Sequence, residues 1–216
     1  MSLAFQGSLF DDPLAEPTLD RLSGTVRRIE LNDGAWVDLR AGWVSDSDAL
    51  FERLAADVPW RADRREMYER VVDVPRLVSF FGPESGYPHP LLDRAQDQLN
   101  AFYRAPDEQV FRTAGLCFYR TGNDSVAWHG DRVGSAIERD TMVAIVSVGA
   151  ARTLSLRPKG GGETLRFPLG HGDLIVMGGS CQRTHEHAIL KTRQSVGPRI
   201  SIQFRPIWPG TRSRRT

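Results

Sequence analysis

From residue 114 onward the sequence is a succession of short apolar segments separated by glycine-rich turns. Those turns carry Gly122-Asn123, Gly160-Gly161-Gly162 and Gly170-His171-Gly172, residue types that adopt turn conformations closed to most side chains. Many short strands joined in this way are typical of a β-sandwich or a double-sheet jelly roll. The segments with strand character are 114–120, 125–129, 141–148, 152–157, 164–168, 173–177 and 199–205.

The first half of the chain predicts a hairpin, two helices and two further extended segments. Asn32-Asp33-Gly34 separates the apolar runs 26–31 and 35–39 and predicts a tight β-hairpin. Two helices are expected, the first after Ser45-Asp46-Ser47-Asp48 and the second from Pro90, because apolar residues there recur at helical spacing. The apolar stripes are Leu50, Phe51, Leu54 and Val58, then Leu91, Leu92, Ala95, Leu99 and Phe102. Segments 67–74 and 77–81 are expected to be extended and joined at Pro75.

One of the predicted strands ends in His129-Gly130-Asp131. On an extended backbone residues two apart face the same side, so His129 and Asp131 can hold one ion together. With a second histidine they would form the two-histidine, one-carboxylate triad of non-haem Fe(II) oxygenases. A lone His-x-Asp is weakly specific, since most such pairs are ordinary surface residues.

Three histidines downstream are candidates for the second imidazole. His171 lies in a predicted turn, which favours a structural role. His185 and His187 would face the same side of an extended segment, so spacing alone does not choose between them.

The segment 199–205 carries two arginines six positions apart. If it is a strand, Arg199, Ser201 and Arg205 share one face. On an interior face the arginines would require an anion such as a dicarboxylate, whereas on the outer face they would be ordinary surface residues. The pattern alone favours the outer face.

These motifs together resemble the AlkB family of Fe(II)- and 2-oxoglutarate-dependent dioxygenases, which remove alkyl groups from nucleic-acid bases. The family pattern is a tyrosine, then His-x-Asp, a distal histidine and two arginines six apart. Tyr119, His129-Gly130-Asp131, His187 and Arg199 with Arg205 stand in that order. Four motifs in sequence are far more specific than any one of them. The resemblance spans residues 26–206 and implies a double-stranded β-helix (jelly-roll) core, making the expected class α+β, mainly β.

The resemblance also implies roles for individual residues. His129, Asp131 and His187 would hold Fe(II), with 2-oxoglutarate and O2 as co-substrates. Tyr119 and Arg199 would bind the distal carboxylate of 2-oxoglutarate, and Ser201 would assist them. Arg205 would lie near the end that chelates iron. His185, which stands where relatives often carry tryptophan, is expected to pack near the site.

The substrate-binding residues are less clearly marked. A damaged base must leave its stack to reach the iron, and Tyr87 and His89 are candidates to sandwich it. The alternative for this segment is a proline-stiffened surface loop. Arg76 is a candidate contact to phosphate or a base edge, or else a surface charge. Trp43, Trp60, Phe80 and Phe81 are expected in the core, and Trp128 beneath the site.

Two departures from the family pattern affect these expectations. Many relatives have an acidic residue soon after His-x-Asp that contacts the exocyclic amine of the base, but Arg132-Val133-Gly134 follows here and Glu138 comes later. Cys117 stands where relatives often have an asparagine that faces the co-substrate. A thiol near iron is also liable to oxidation.

The chain divides into a flexible arm (1–22), an N-terminal extension with helices and the nucleotide-recognition segment (23–112), the catalytic core (113–208) and a basic tail (209–216). Residues 22–208 are expected to form one domain. The sequence shows no membrane span and no signal peptide, and its two cysteines, Cys117 and Cys181, form no disulfide framework. We therefore expect a cytoplasmic monomer.

The predicted activity is oxidative dealkylation of N-alkylated bases in DNA. The net charge of +1 excludes a general basic field, so a nucleic-acid surface must be a local patch. The alternatives are the same chemistry on RNA, a protein or a small molecule, and a non-catalytic module that binds nucleic acid. The complete triad with Arg199 argues against the last.

Overall fold

Two β-sheets packed face to face form the centre of the protein, with two helices against the outer face of the larger sheet. The computed structural model describes residues 16–67, 70–103, 111–131 and 140–206, and only the backbone of 63–67 and 70–74. The helices in the described residues are α1 Ser47–Asp57, α2 Pro90–Tyr103 and α3 Cys181–Thr184. The strands there are β1 Thr18–Leu19, β2 Arg27–Glu30, β3 Ala35–Arg40, β4 Val44–Ser45, β5 Arg61–Met67, β6 Arg70–Phe81, β7 Phe111–Tyr119, β8 Val126–His129, β9 Val143–Gly149, β10 Arg152–Pro158, β11 Leu165–Leu169, β12 Asp173–Gly179, β13 His185–Ile189 and β14 Arg199–Pro206.

The strand order is that of a jelly roll. The large sheet runs β2-β3-β12-β9-β14-β7-β6-β5, the small sheet runs β11-β10-β13-β8, and β1 pairs with β4. Alternate residues of the large sheet face opposite sides. One face packs on the small sheet through residues such as Ile145 and Met177, and the other packs on α1 and α2 through residues such as Phe118 and Ile202. The predicted mainly-β jelly-roll class is therefore confirmed.

The predicted hairpin and helices are present. β2 and β3 pair antiparallel around the turn, where Asp33 and Gly34 have φ of 60° and 76°. α2 begins at Pro90, whose fixed φ suits the first turn of a helix. The stripes on α1 and α2 are buried against the large sheet, apart from Phe102, which is partly buried. Hydrophobic periodicity was a sufficient guide because each helix has one core-facing side.

Two expectations differ from the structure, and one strand was not expected. β6 runs unbroken through Pro75 instead of breaking there, because Pro75 lies where the ladder to β5 is irregular and pairing with β7 has not begun. Residues 18–22 of the expected arm are packed: β1 pairs with β4, and Leu22 is 2% exposed. The strand β13 was not predicted, because residues 185–189 show no clear strand pattern in the sequence. Residues 1–15 of the arm and the tail 209–216 lie outside the described residues.

The boundary at 112/113 remains a prediction. β7 runs across it, β2, β3, β5 and β6 come before it, and all of them share the large sheet. Among the described residues, no helix combines the length and the apolar character needed to cross a bilayer.

Candidate active site

His129, Asp131 and His187 lie together at one end of the small sheet. β8 pairs with β13, and His129 is directly opposite His187 in that pairing. Their ring centroids are 4.3 Å apart, and His129 Nε2 lies 3.9 Å from Asp131 Oδ1. One potential ligand atom from each of the three residues lies within 4.8 Å of the others. Two nitrogens and one carboxylate oxygen at this spacing fit a single transition-metal ion.

The surroundings of the two imidazoles suit metal binding. His129 Nδ1 is 2.8 Å from the carbonyl oxygen of Ala127, to which it donates as the protonated ring nitrogen. This hydrogen bond leaves Nε2 with a lone pair directed at the cluster. Burial, followed by the repulsion of His129, lowers the pKa of His187 to about 3. His187 is therefore neutral at physiological pH, the form that binds a metal.

Asp131 is held in its ionised form by Arg205. Burial raises the pKa of Asp131, but the Arg205 guanidinium, with His187 and His129, outweighs burial and holds that pKa well below its usual range. Arg205 Nε donates to Asp131 Oδ2 at 2.8 Å. Since Arg205 occupies Oδ2, the other oxygen, Oδ1, is the one beside the histidines. Arg205 lies on β14, so this ion pair also connects the two sheets.

The other two histidines lie elsewhere. Nδ1 of His185 is 2.8 Å from the hydroxyl of Thr184, and His185 does not line the cavity beside the cluster. His171 accepts a hydrogen bond from the Gly149 N–H and lies 3.0 Å from Asp48. The fold thus brings His187 to His129 and Asp131, and gives His171 and His185 structural contacts.

A cavity of about 1140 Å³ opens beside this cluster, between the two sheets. The floor is built from strands β6, β7, β14 and β9, whose alternate residues face the cavity. Cavity-facing neighbours on β7 and β14 pair as Tyr119 with Arg199, Cys117 with Ser201 and Gly115 with Gln203. Arg199, Ser201 and Arg205 therefore face inward, while Ile200, Ile202 and Phe204 pack on the helices. The outer-face alternative for these arginines is wrong because β14 is a central strand with both faces covered.

Arg199 is a buried cation without a matching anion among the described residues. Its side chain is 0% exposed, and its Nε donates to Ser147 Oγ at 2.8 Å. Its two terminal nitrogens have no hydrogen-bond partner in the described part of the chain. Burial lowers the pKa of Arg199, partly offset by Tyr119, whose ring centroid is 5.3 Å from the guanidinium carbon. A guanidinium nevertheless stays charged in proteins, so the two free nitrogens fit a carboxylate of a bound ligand.

Cys117 and Trp128 also line the cavity. Cys117 lines it, and Gln203 Nε2 lies 3.5 Å from Cys117 Sγ. Trp128 also lines it, with the Arg157 guanidinium 4.0 Å above its ring, so Trp128 forms part of the wall. Val133 and Glu138 lie outside the described residues.

Of the three expected substrate residues, the structure brings only Arg76 to the cavity. Arg76 lines it and donates to the Ser125 carbonyl at 3.1 Å. Tyr87 packs edge-on against Phe204, with its hydroxyl bonded to Gln96. His89 is 4% exposed, and its Nδ1 accepts from the Leu91 N–H at the start of α2. Tyr87 and His89, which were expected to sandwich a base, do not line the cavity, because their segment caps α2 and packs on the helical side of the large sheet.

The sequence did not identify the apolar side chains at the mouth of the cavity. Phe80 was expected in the core but is 64% exposed, and Leu190 is 49% exposed. Both line the cavity, and they are the large hydrophobic side chains that stand out as exposed among the described residues. Alternation along β6 could have indicated the position of Phe80, since every second residue from Arg76 through Val78 to Phe80 lines the cavity. Trp43 is fully buried, whereas Trp60 and Phe81 are partly buried against the core.

Gly130 is required between the two ligand candidates. A Cβ there would lie 2.9 Å from the Gln182 carbonyl oxygen and 3.3 Å from that of His185. Both are backbone atoms, so Gly130→Ala should displace Asp131 and weaken metal binding roughly tenfold or more. A titration of Fe(II) into anaerobic protein measures this, with Gly82→Ala as the matched control because a Cβ there meets only Phe80 at 3.8 Å. Equal metal affinity in the two variants would contradict the prediction.

The chain is similar to known 2-oxoglutarate-dependent oxygenases. Residues 82–205 match the model of the 2OG-Fe(II) oxygenase superfamily. The chain is 30% identical over 204 residues to the α-ketoglutarate-dependent dioxygenase alkB homolog 3 of Mus musculus, covering 87% of this chain and 68% of that protein. It is 23% identical over 192 residues to the DNA oxidative demethylase ALKBH2 of Bos taurus, covering 78% and 67%. The solved structure of OsALKBH1 superposes with a TM-score of 0.54 at 14% identity, covering 84% of this chain and all of that one. The chain thus spans about two thirds of the curated relatives that it matches.

Proposed function

Because the chain belongs to the AlkB family within the 2OG-Fe(II) oxygenase superfamily, we propose that it removes alkyl groups from N-alkylated bases in DNA by oxidation. The observation that carries this proposal is the Arg199 guanidinium on the floor of the cavity that His129, Asp131 and His187 line, because its two terminal nitrogens have no partner among the described residues. A site for one metal ion would by itself suit many chemistries. A metal site in the same cavity as a buried cation suits an anionic co-substrate that chelates the metal.

The enzyme is a dioxygenase that uses Fe(II), 2-oxoglutarate and O2. When bound, Fe(II) would couple two oxidations by one O2 molecule: one oxygen atom would convert 2-oxoglutarate to succinate and CO2, and the other would hydroxylate the alkyl carbon. The hydroxylated carbon then leaves as an aldehyde, and the base regains its N–H.

We assign roles to the residues of the cavity as follows. Nε2 of His129, Oδ1 of Asp131 and the ring of His187 would hold the iron, and Arg205 keeps Asp131 ionised and oriented. Arg199 binds the distal carboxylate of 2-oxoglutarate through its two free nitrogens, with Tyr119 and Ser201 beside it. Because Arg199 is fully buried, a carboxylate bound to it would be largely shielded from water, which would strengthen the charge pairing.

The rim of the cavity supports a nucleic-acid substrate. Arg61, Arg76 and Lys191 line it, and the sole carboxylate among the described lining residues, Asp131, is neutralised by Arg205. Positive charge suits phosphates, and the exposed Phe80 and Leu190 suit the flat faces of unstacked bases. The name of the bovine relative, a DNA oxidative demethylase, points the same way.

Product analysis separates this proposal from its alternatives. Succinate formation under Fe(II), 2-oxoglutarate and air distinguishes an enzyme from a module that only binds nucleic acid. Aldehyde release from N-methylated single-stranded DNA, greater than from matched RNA or from unmodified DNA, is the expected result. Succinate without aldehyde from any methylated oligonucleotide would mean that the substrate is a protein or a small molecule.

Phe80→Ala should weaken binding of the oligonucleotide by about 1–3 kcal/mol, the usual contribution of an aromatic ring stacked on a base. The expected result is a KM for methylated DNA raised roughly 5–150-fold. Steady-state aldehyde release measures it. Tyr87→Phe is the matched control, because it removes a hydroxyl that bonds Gln96 on the opposite side of the sheet. If Tyr87→Phe raised KM and Phe80→Ala did not, the substrate would bind elsewhere.

A further inference from the structure

Gln182 lies in α3, the single turn that leads directly into β13 and so to His187. Its side chain is 2% exposed, although glutamine is polar and usually lies at the surface. Gln182 does not line the cavity and is not one of the three candidate metal ligands. A polar group buried so deeply is expected to make a specific hydrogen bond.

That hydrogen bond is made to Asp131. Gln182 Oε1 accepts from the backbone N–H of Asp131 at 3.0 Å, across 51 positions of sequence. The backbone carbonyl of Gln182 also lies where a side chain on Gly130 would begin. One residue therefore contacts both positions that follow His129.

The turn that carries Gln182 is itself fixed from two sides. Ser180 Oγ donates to the Asp33 carbonyl at 2.7 Å, which attaches the turn to the β2–β3 hairpin. Lys159 Nζ donates to the carbonyl of Gln182 at 2.9 Å and to that of Arg183. The Lys159 N–H donates to Thr184 O at 2.9 Å. Gln182 thus presents its carboxamide from a rigid support.

We propose that Gln182 is a positioning residue that orients Asp131 toward the metal, an inference that rests on the ligand set proposed above. β8 ends at His129, so no strand pairing among the described residues holds the backbone of Asp131. Arg205 fixes the carboxylate through Oδ2, and Gln182 fixes the main chain through the N–H. With both ends held, Oδ1 faces the histidines before any ion arrives. Since α3 leads directly into β13, the same turn also sets the position of Asp131 relative to His187.

The test compares two substitutions of nearly equal volume. Gln182→Met removes the acceptor, whereas Gln182→Glu keeps an oxygen that can accept from Asp131. Nε2 of Gln182 has no hydrogen-bond partner among the described residues, so losing that donor breaks no contact described here. The measured quantities are the Kd for Fe(II), by anaerobic titration, and the Tm of the metal-free protein. Outer contacts to metal ligands typically contribute roughly 10–100-fold in affinity, so Gln182→Met should raise Kd by that factor while Gln182→Glu stays close to wild type.

A destabilised control separates positioning from general loss of stability. Leu99→Ala truncates a fully buried side chain of α2, on the opposite face of the large sheet from the cavity, so it should lower the Tm and leave Kd nearly unchanged. An unchanged Kd in Gln182→Met, equal increases for Met and Glu, or an equal increase in Leu99→Ala would each overturn the inference. Asp131→Ala tests the ligand set by itself. Wild-type metal affinity in that variant would reject the ligand set, whereas its loss alongside an unaffected Gln182→Met would reject only the role of Gln182.

Discussion

Replacing His187 by alanine should abolish Fe(II) binding and 2-oxoglutarate turnover, whereas His185→Ala should retain both. The reason is geometric, because only His187 faces His129 across the β8–β13 pairing. His185 instead lies with its Nδ1 against Thr184, outside the cavity. Loss of one of three ligands leaves two, too few to hold the ion against free water and chelating buffers.

The measurements are anaerobic Fe(II) titration and succinate formation. His185 is 5% exposed, so His185→Ala is expected to lower the Tm and must be assayed below its unfolding temperature. His187→Gly with added imidazole provides a further check, since a free imidazole in the vacated space should restore part of the turnover. Retention of iron in His187→Ala with its loss in His185→Ala would exchange the two assignments.

Arg199→Met should nearly eliminate 2-oxoglutarate binding while making the ligand-free protein more stable. Removing one partner of a buried, hydrogen-bonded charge pair costs about 3–5 kcal/mol, equivalent to roughly a 10²–10³-fold or greater loss of affinity. Isothermal titration of 2-oxoglutarate into the metal-loaded, anaerobic protein measures that loss. Arg199→Lys is the matched control: it keeps the charge but not the two parallel donors, so its affinity should be intermediate.

The opposite effect on stability follows from burial. Without 2-oxoglutarate, the terminal nitrogens of Arg199 are desolvated and have no partner among the described residues. Replacing a buried charge by an apolar side chain of similar volume can stabilise a protein by about 1–4 kcal/mol, reduced here by the lost hydrogen bond to Ser147. We therefore expect the Tm of Arg199→Met to exceed that of wild type in the absence of 2-oxoglutarate.

Added 2-oxoglutarate should then raise the Tm of the wild type and leave that of Arg199→Met unchanged, because a ligand stabilises only the protein that binds it. A lower Tm for the ligand-free variant, together with unchanged 2-oxoglutarate affinity, would show that Arg199 is a structural residue. The co-substrate anchor would then have to be sought among the other cations of the cavity.

The hairpin at Asp33-Gly34, both main helices and most strands could be predicted from sequence, because their information is local. Positive φ at a turn, proline at a helix start and periodic apolar residues act within a few positions of one another. The family resemblance, confirmed by comparison, selected His187 and Arg199 from their motifs. Spacing alone could not choose His187 over His185, because both would face the same side of an extended segment.

The tertiary structure alone decided which residues meet. Strand pairing is non-local, so only the fold shows that β14 is central, which places Arg199 inside the protein, or that Phe80 lies at a cavity mouth rather than in the core. Only the fold shows, likewise, that Tyr87 and His89 lie away from the cavity, since their segment caps α2. The contact between Gln182 and Asp131 had no pattern in the sequence at all. The sequence by itself determined the chemistry available to this protein, because residue types carry charge and ligand character. Only the packing of two sheets decided where that chemistry is directed, because the side chain of Gln182 and the main-chain N–H of Asp131, 51 positions apart, become neighbours through the folded backbone.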